Sequence, residues 1–179
     1  MSIDYPDISA KVPCKYITGE QHMLWGKQIS LHVLEKKGPT AGRLAHGTLI
    51  LQVHSGSSYE DRKKVLFQWY KKMLMMALPG YVSPWEKVMN VQVDKVSVRQ
   101  MRTQWGSCTP TQKSIRFNIE LARRSPSVIE YIVVHEMVHL LEPSHNHRFK
   151  SLMTQYLPSW KQRELELNRH PIPYEFWEQ

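Results

Sequence analysis

Between residues 22 and 33, Leu24-Trp25 and then Ile29, Leu31 and Val33 alternate with Gln28, Ser30 and His32 around a Gly26-Lys27 step. A period of two broken by a glycine turn predicts a β-hairpin. Thr48–Val53 is a second apolar run, and residues 38–42 and 54–58 read as loops. The period then changes to a helical one. Val65, Trp69, Met73 and Met76 fall on one face, with Leu66, Tyr70 and Leu74 beside them and Lys63, Lys64, Lys71 and Lys72 opposite. Ser58 is a favourable N-cap, Glu60 and Asp61 suit the first turn, and Pro79-Gly80 is a stop signal, so a helix is expected over 58–79. Met73, Met75 and Met76 are assigned to its core face.

Further along, residues 91–101 are rich in Val and read as strand. Ile115, Phe117, Ile119 and Leu121 alternate with Arg116, Asn118 and Glu120, the signature of a half-buried strand. Antiparallel pairing of 115–121 with 96–101 is expected across the turn-like 104–110, with 115–121 at the sheet edge, open to an added peptide strand. Ser125-Pro126 starts a helix that runs to about residue 142, before Pro143, and a shorter helix over 147–157 stops at Pro158. The pattern divides the chain into an arm and hairpins (1–57), a helix (58–79), a core (90–160) and a polar tail (161–179). At 179 residues these form one domain.

Composition narrows the class. A 41% hydrophobic and 22% charged chain has enough apolar surface to bury a core and is not a disordered one. No window approaches 18 apolar residues, so no membrane partner is expected. Cys14 and Cys108 stand too far apart for a zinc ribbon and are too few for a disulfide framework. The first residues show no secretory leader pattern, and a reducing cytoplasm is the expected location. The net charge of +8 points to phosphate- or carboxylate-bearing partners without naming one.

Chemistry enters at His135-Glu136-Met137-Val138-His139, an H-E-x-x-H inside a predicted helix. Residues four apart share a helix face, so both imidazoles can reach one ion at about 2.0–2.1 Å. Glu136 then stands near the ion's open position, where a carboxylate can act as general base. Beyond Pro143 the chain can turn and bring back His145 as a third ligand, the three-ligand pattern of a catalytic zinc. His147, Glu164 and Glu166 are the competing third ligands. In H-E-x-x-H-x-x-G-x-x-H enzymes a glycine makes that turn; here Glu142 stands in its place, and the left-handed turn is unsuited to Glu. Arg102, Trp105, Asn118, His147, Arg148 and Tyr156 are candidate substrate or transition-state contacts. Cys108 is read as a small buried residue.

Four strings together carry a wider likeness: residues 102–108 (RTQWGSC), 115–118 (IRFN), 131–140 (YIVVHEMVHL) and 146–149 (NHRF) after His145. Over about residues 90–160 the chain resembles the YgjP-like metallopeptidase family, which is similar to the SprT-like and WLM groups. It departs from that pattern at Gln104, where the family commonly has a basic residue, and at Lys150, where it usually has an aromatic. The resemblance implies an α+β fold, a minimal, gluzincin-like zincin with an antiparallel sheet packed beside the H-E-x-x-H helix. It implies Zn2+ on His135, His139 and His145, with Glu136 as catalytic base. The expected function is zinc-dependent hydrolysis of a peptide or protein. Two alternatives accompany it. The first is hydrolysis of nucleotides or other phosphate compounds, suggested by Arg99, Arg102, Arg116, Arg123 and Arg124. The second is a nucleic-acid-associated zinc module, or a protease acting on DNA-bound protein, suggested by the lysines of the 58–79 helix.

Overall fold

A computed structural model describes residues 14–170, so most of the expected N-terminal arm and the end of the tail lie outside the described residues. The order is β1 (Gln21–Leu24), β2 (Lys27–Glu35), β3 (Ala41–Ala45), β4 (Thr48–Val53), α1 (Tyr59–Met89), β5 (Lys95–Arg99), β6 (Gly106–Thr109), β7 (Ser114–Asn118), α2 (Pro126–Val138), α3 (His147–Tyr156) and α4 (Trp160–Asn168). It is an α+β chain with a four-stranded sheet, β1-β2-β4-β3, and a three-stranded sheet, β5-β7-β6.

The first hairpin forms as its alternation predicts. Trp25 and Gly26 both take positive φ, the two-residue turn that matches strand twist. Its backbone docks onto the chain ahead of α2: Trp25 N–H donates to the Ala122 carbonyl at 2.9 Å and Gly26 N–H to that of Arg123 at 3.3 Å. A Cβ on residue 26 would lie 3.1 Å from Ser125 Cα, so the approach itself favours glycine. Part of the expected loop at 38–42 instead begins β3, which pairs with β4.

Helix α1 passes through Pro79-Gly80 and through Pro84, ending at Asn90 in the left-handed conformation. A proline inside a helix costs about 3 kcal/mol. Burial offsets it here, since Leu74, Leu78, Val82 and Met89 continue one covered stripe across both prolines. Trp85 also donates from Nε1 to Glu130 of α2 at 3.2 Å. Met73 packs on the core, whereas Met75 and Met76 are exposed, contrary to their expected place.

The second sheet corrects the predicted pairing. β7 lies between its neighbours, parallel to β5 and antiparallel to β6. Residues 106–109, read as turn, are a strand, and the tight connection through a 3-10 helix at Pro110–Gln112 makes β6 the hairpin partner of β7. The 14 residues from 100 to 113 form the crossover that a parallel β5–β7 pair requires. The sheet is therefore mixed, β7 is interior, and β6 is an edge.

Helix α2 is buried on nearly every side by Val128, Ile129, Tyr131, Ile132, Val133, Val134, Met137 and Val138. It ends at Val138, short of 142. Turn-type bonds take over, from Leu140 N–H to the Met137 carbonyl and from Leu141 and Glu142 N–H to that of Val138. The expected tail contains α4, which grips α2. Arg163 Nη1 reaches Glu130 at 2.6 Å and the Ser127 carbonyl at 3.1 Å, and Glu166 accepts from Ser125 at 2.5 Å.

Two measurements check these assignments. Ser58 and Asp61 form a reciprocal capping box at the start of α1, so Ser58→Ala is expected to lower unfolding free energy by about 1 kcal/mol in denaturant titration. His22 is buried against Tyr16, and burial, with the Arg123 charge and against the pull of Glu20, lowers its pKa from 6.5 to about 4. Between those values the unfolded chain binds the proton and the folded chain does not. This contribution to stability is full above pH 6.5 and falls as pH drops toward 4. His22→Gln is expected to flatten that part of the pH–stability curve.

Candidate metal centre

His135 and His139 occupy the last turn of α2 and its C-cap, where the helix dipole favours a cation. Glu142 takes no left-handed conformation. The chain reverses instead through Pro143-Ser144: Ser144 N–H donates to the Glu142 carboxylate at 3.2 Å, and Asn146 N–H to the Ser144 carbonyl at 2.8 Å. Asn146 then caps α3 by accepting from Phe149 N–H at 3.0 Å. His145, between these two devices, is carried back to α2.

The three imidazoles converge on one point. His145 Nε2 lies 3.0 Å from His135 Nε2 and 3.1 Å from His139 Nε2. Nitrogens bound at about 2.0–2.1 Å to one tetrahedral centre stand roughly 3.3 Å apart, so the spacing fits a shared ion. Among the described residues these three form the group able to hold a metal. Phe149 packs on all three rings, with centroids 4.9, 4.6 and 4.7 Å from His135, His139 and His145.

The electrostatics keep lone pairs available. Burial, then the neighbouring imidazoles, push the pKa of His135 down to about 3. Burial also lowers that of His139. His139 Nδ1 lies 3.2 Å from the Glu142 carbonyl; in the tautomer that donates there, Nε2 is the free acceptor. Three neutral nitrogens brought this close repel one another unless a cation or proton lies between them, so the donor set suits a metal ion.

Glu136 is buried on the same turn, and burial raises its carboxyl pKa to about 8. Strand β6 passes directly over it. A Cβ on residue 106 would lie 2.6 Å from Glu136 Oε1, so Gly106 leaves room for that carboxylate where it stands. Burial and the Glu136 charge raise the Cys108 thiol to about 11, which keeps it protonated and a poor metal ligand.

The other sequence candidates separate. Asn118 is buried, donating to the carbonyls of Met101 and Gln104 at 2.9 and 2.8 Å and accepting from Glu120 N–H, and so organises the crossover loop. Trp105 is half-buried under the Arg124 guanidinium. Arg102 is exposed on the crossover loop. His147, at the start of α3, stands outside the three-histidine group, and Arg148 beside it is 4.0 Å from Glu142. Tyr156 packs at the core margin. Glu164 and Glu166, the rival ligands, bond to Tyr131 and to Ser125 and Ser127. The five arginines do not form one phosphate site: Arg123 lies over Phe67 and Tyr70 and Arg124 over Trp105, while Arg99, Arg102 and Arg116 are exposed.

Two contributors escaped the sequence reading. Phe149 underlies the histidines; its signal was an aromatic three residues after an Asn N-cap. Gly106 admits Glu136; within a segment read as turn, its glycine gave no sign of a close approach to a carboxylate.

No helix among the described residues is long and apolar enough to cross a membrane. No curated protein matches the chain. Among solved structures, the metallopeptidase zymogen abylysin of Pyrococcus abyssi is similar, at 17% identity and a TM-score of 0.46, covering 52% of this chain and 97% of that one. The zymogen jannalysin of Methanocaldococcus jannaschii is similar at 20% identity and a TM-score of 0.43, covering 49% and 89%. The family described as YgjP-like, metallopeptidase domain, matches residues 4–170, nearly the whole chain, and the protein belongs to that family.

Proposed function

We propose that this chain is a zinc-dependent peptidase in which His135, His139 and His145 hold the ion through Nε2 and Glu136 moves the protons. The observation that carries the reading is the convergence of three Nε2 atoms, at 3.0 and 3.1 Å, on the helix end that also bears the buried Glu136. Three nitrogen donors suit Zn2+ and leave a coordination position for water or substrate. When bound, zinc supplies Lewis-acid polarisation of a carbonyl and lowers the pKa of water toward about 7.

Glu136 accepts a proton from the attacking water and returns it to the leaving amine. A cation on the adjacent histidines favours its carboxylate form, against the effect of burial. The substrate is held by β6. The Trp105–Asn118 bond sets the antiparallel alternation, which turns the N–H and C=O of Gly106 and Cys108 away from β7. Among the described residues nothing pairs with that side of the strand. An extended peptide added there runs past Glu136.

Glu136→Gln is expected to keep its zinc, by elemental analysis, and to lose about 10²–10⁴-fold in kcat on any peptide the wild type cleaves. Undiminished turnover in that variant would refute the assignment of Glu136. Gly106→Ala forces the carboxylate aside; kcat is expected to fall by about 10²-fold with metal content unchanged.

A further inference from the structure

The outer face of the second sheet has a charge that the metal chemistry leaves unused. Residues 95–119 contain Lys95, Arg99, Arg102, Lys113 and Arg116 and not one Asp or Glu. The strand alternation sorts this segment into two faces. Val98, Ile115 and Phe117 turn inward to the core, with Cys108 packed against it and Gly106 over Glu136. Ser97, Ser107 and Arg116 stand in one cross-strand row on the other face, with Lys95, Ser114 and Thr109 in the next. Among the described residues no carboxylate forms an ion pair with Arg99, Arg102 or Arg116.

The register makes Arg116 the important member. It lies directly across from Ser107 on the edge strand. Ser107 spends its own N–H and C=O on β7, so a peptide residue added opposite it forms a close, non-hydrogen-bonded pair with its side chain on the same outer face. Two strand spacings, about 10 Å, separate that residue's Cα from that of Arg116. The serine between them is short, and an exposed arginine and a carboxylate side chain can meet above it.

We propose that the protein selects peptides carrying Asp or Glu at the position opposite Ser107, with Arg116 as the residue that determines this preference. The proposal rests on the peptidase reading and on the β6 edge as the substrate's seat. A basic sheet face also suits a nucleic-acid backbone. The acidic peptide is favoured because the cation lies one strand from the edge beside Glu136, a position defined relative to a bound strand.

The test uses the zinc-loaded full chain and internally quenched peptides in which a single Glu, Gln or Lys is walked along a neutral sequence. Binding of the same peptides to Glu136→Gln is followed by fluorescence anisotropy. At one position Glu is expected to exceed Gln by roughly tenfold in kcat/KM and in affinity, and added salt should shrink that ratio. Arg116→Glu should abolish the Glu preference and raise the Lys peptide above it. Lys71→Glu, the same charge change on the exposed side of α1, should leave the preference intact. Cleavage without preference for Glu at any position, or a preference that survives Arg116→Glu, overturns the proposal and leaves the peptidase reading standing. If no peptide is bound or cleaved, both fall. Duplex DNA that binds more tightly than the Glu peptide, and is released by Arg116→Glu, overturns it in favour of a phosphate-backbone surface.

Discussion

Three imidazole lone pairs meet at one point, and a single helix, α2, carries two of them. Two imidazoles follow from the four-residue repeat of α2. The third cannot come from the same helix face at any useful distance, so the chain has to stop, reverse and return within six residues. The candidate metal centre depends on this constraint. The Glu142 carboxylate catches Ser144, the Glu142 carbonyl orients His139, and Asn146 starts α3 at the point where His145 has arrived. One residue therefore closes the loop through its side chain and meets the His139 ring through its backbone carbonyl.

The surrounding fold holds the helix that bears these groups. α2 is covered almost completely, so its position is set by neighbours on every side. The first hairpin meets the segment just before it, α1 reaches it through Trp85 and Glu130, and α4 clasps its first turns through Arg163 and Glu166. Strand β6 completes the enclosure, approaching so closely that a side chain at residue 106 would displace the Glu136 carboxylate. Burial of Glu136 comes from the same approach, so the strand that would seat a peptide is also the wall that raises the carboxyl pKa.

The parts of this arrangement that depend on local periodicity were legible in the sequence. The hairpin around Trp25-Gly26, the strand Thr48–Val53, the start of α2 at Ser125-Pro126 and the short α3 all follow from alternation, capping residues and prolines. The return of His145 was also legible, because a proline after a helix and a histidine ten residues from the first ligand leave few other paths. What failed depended on partners distant in sequence. Pro79 and Pro84 do not break α1, because a buried stripe and Trp85 carry it through. The pairing of β5 with β7 is parallel, because the Gln104–Pro110 segment is itself partly strand and takes the antiparallel place. The bonds from the Asn118 amide to the crossover loop were equally hidden, since Met101 and Gln104 lie 17 and 14 residues away. α4 has too little apolar periodicity to announce itself, since it docks through ion pairs and hydroxyls more than through a greasy face.

The supports of α2 are unevenly shared between its two ends. Its N-terminal end is tied by the Ser125 cap, by Glu166, by Arg163 and by the hairpin turn, a set of bonds that must open together. Its C-terminal end relaxes into turn-type bonds as soon as the second histidine is reached. Side-chain bonds therefore hold the first turns, while the last turns rest on the burial of Val133, Val134, Met137 and Val138. An ion shared by His135, His139 and His145 would close that end covalently in all but name, joining α2 to α3 and converting two cooperative units into one. In that sense the three histidines would serve the protein's mechanical continuity as much as its chemistry.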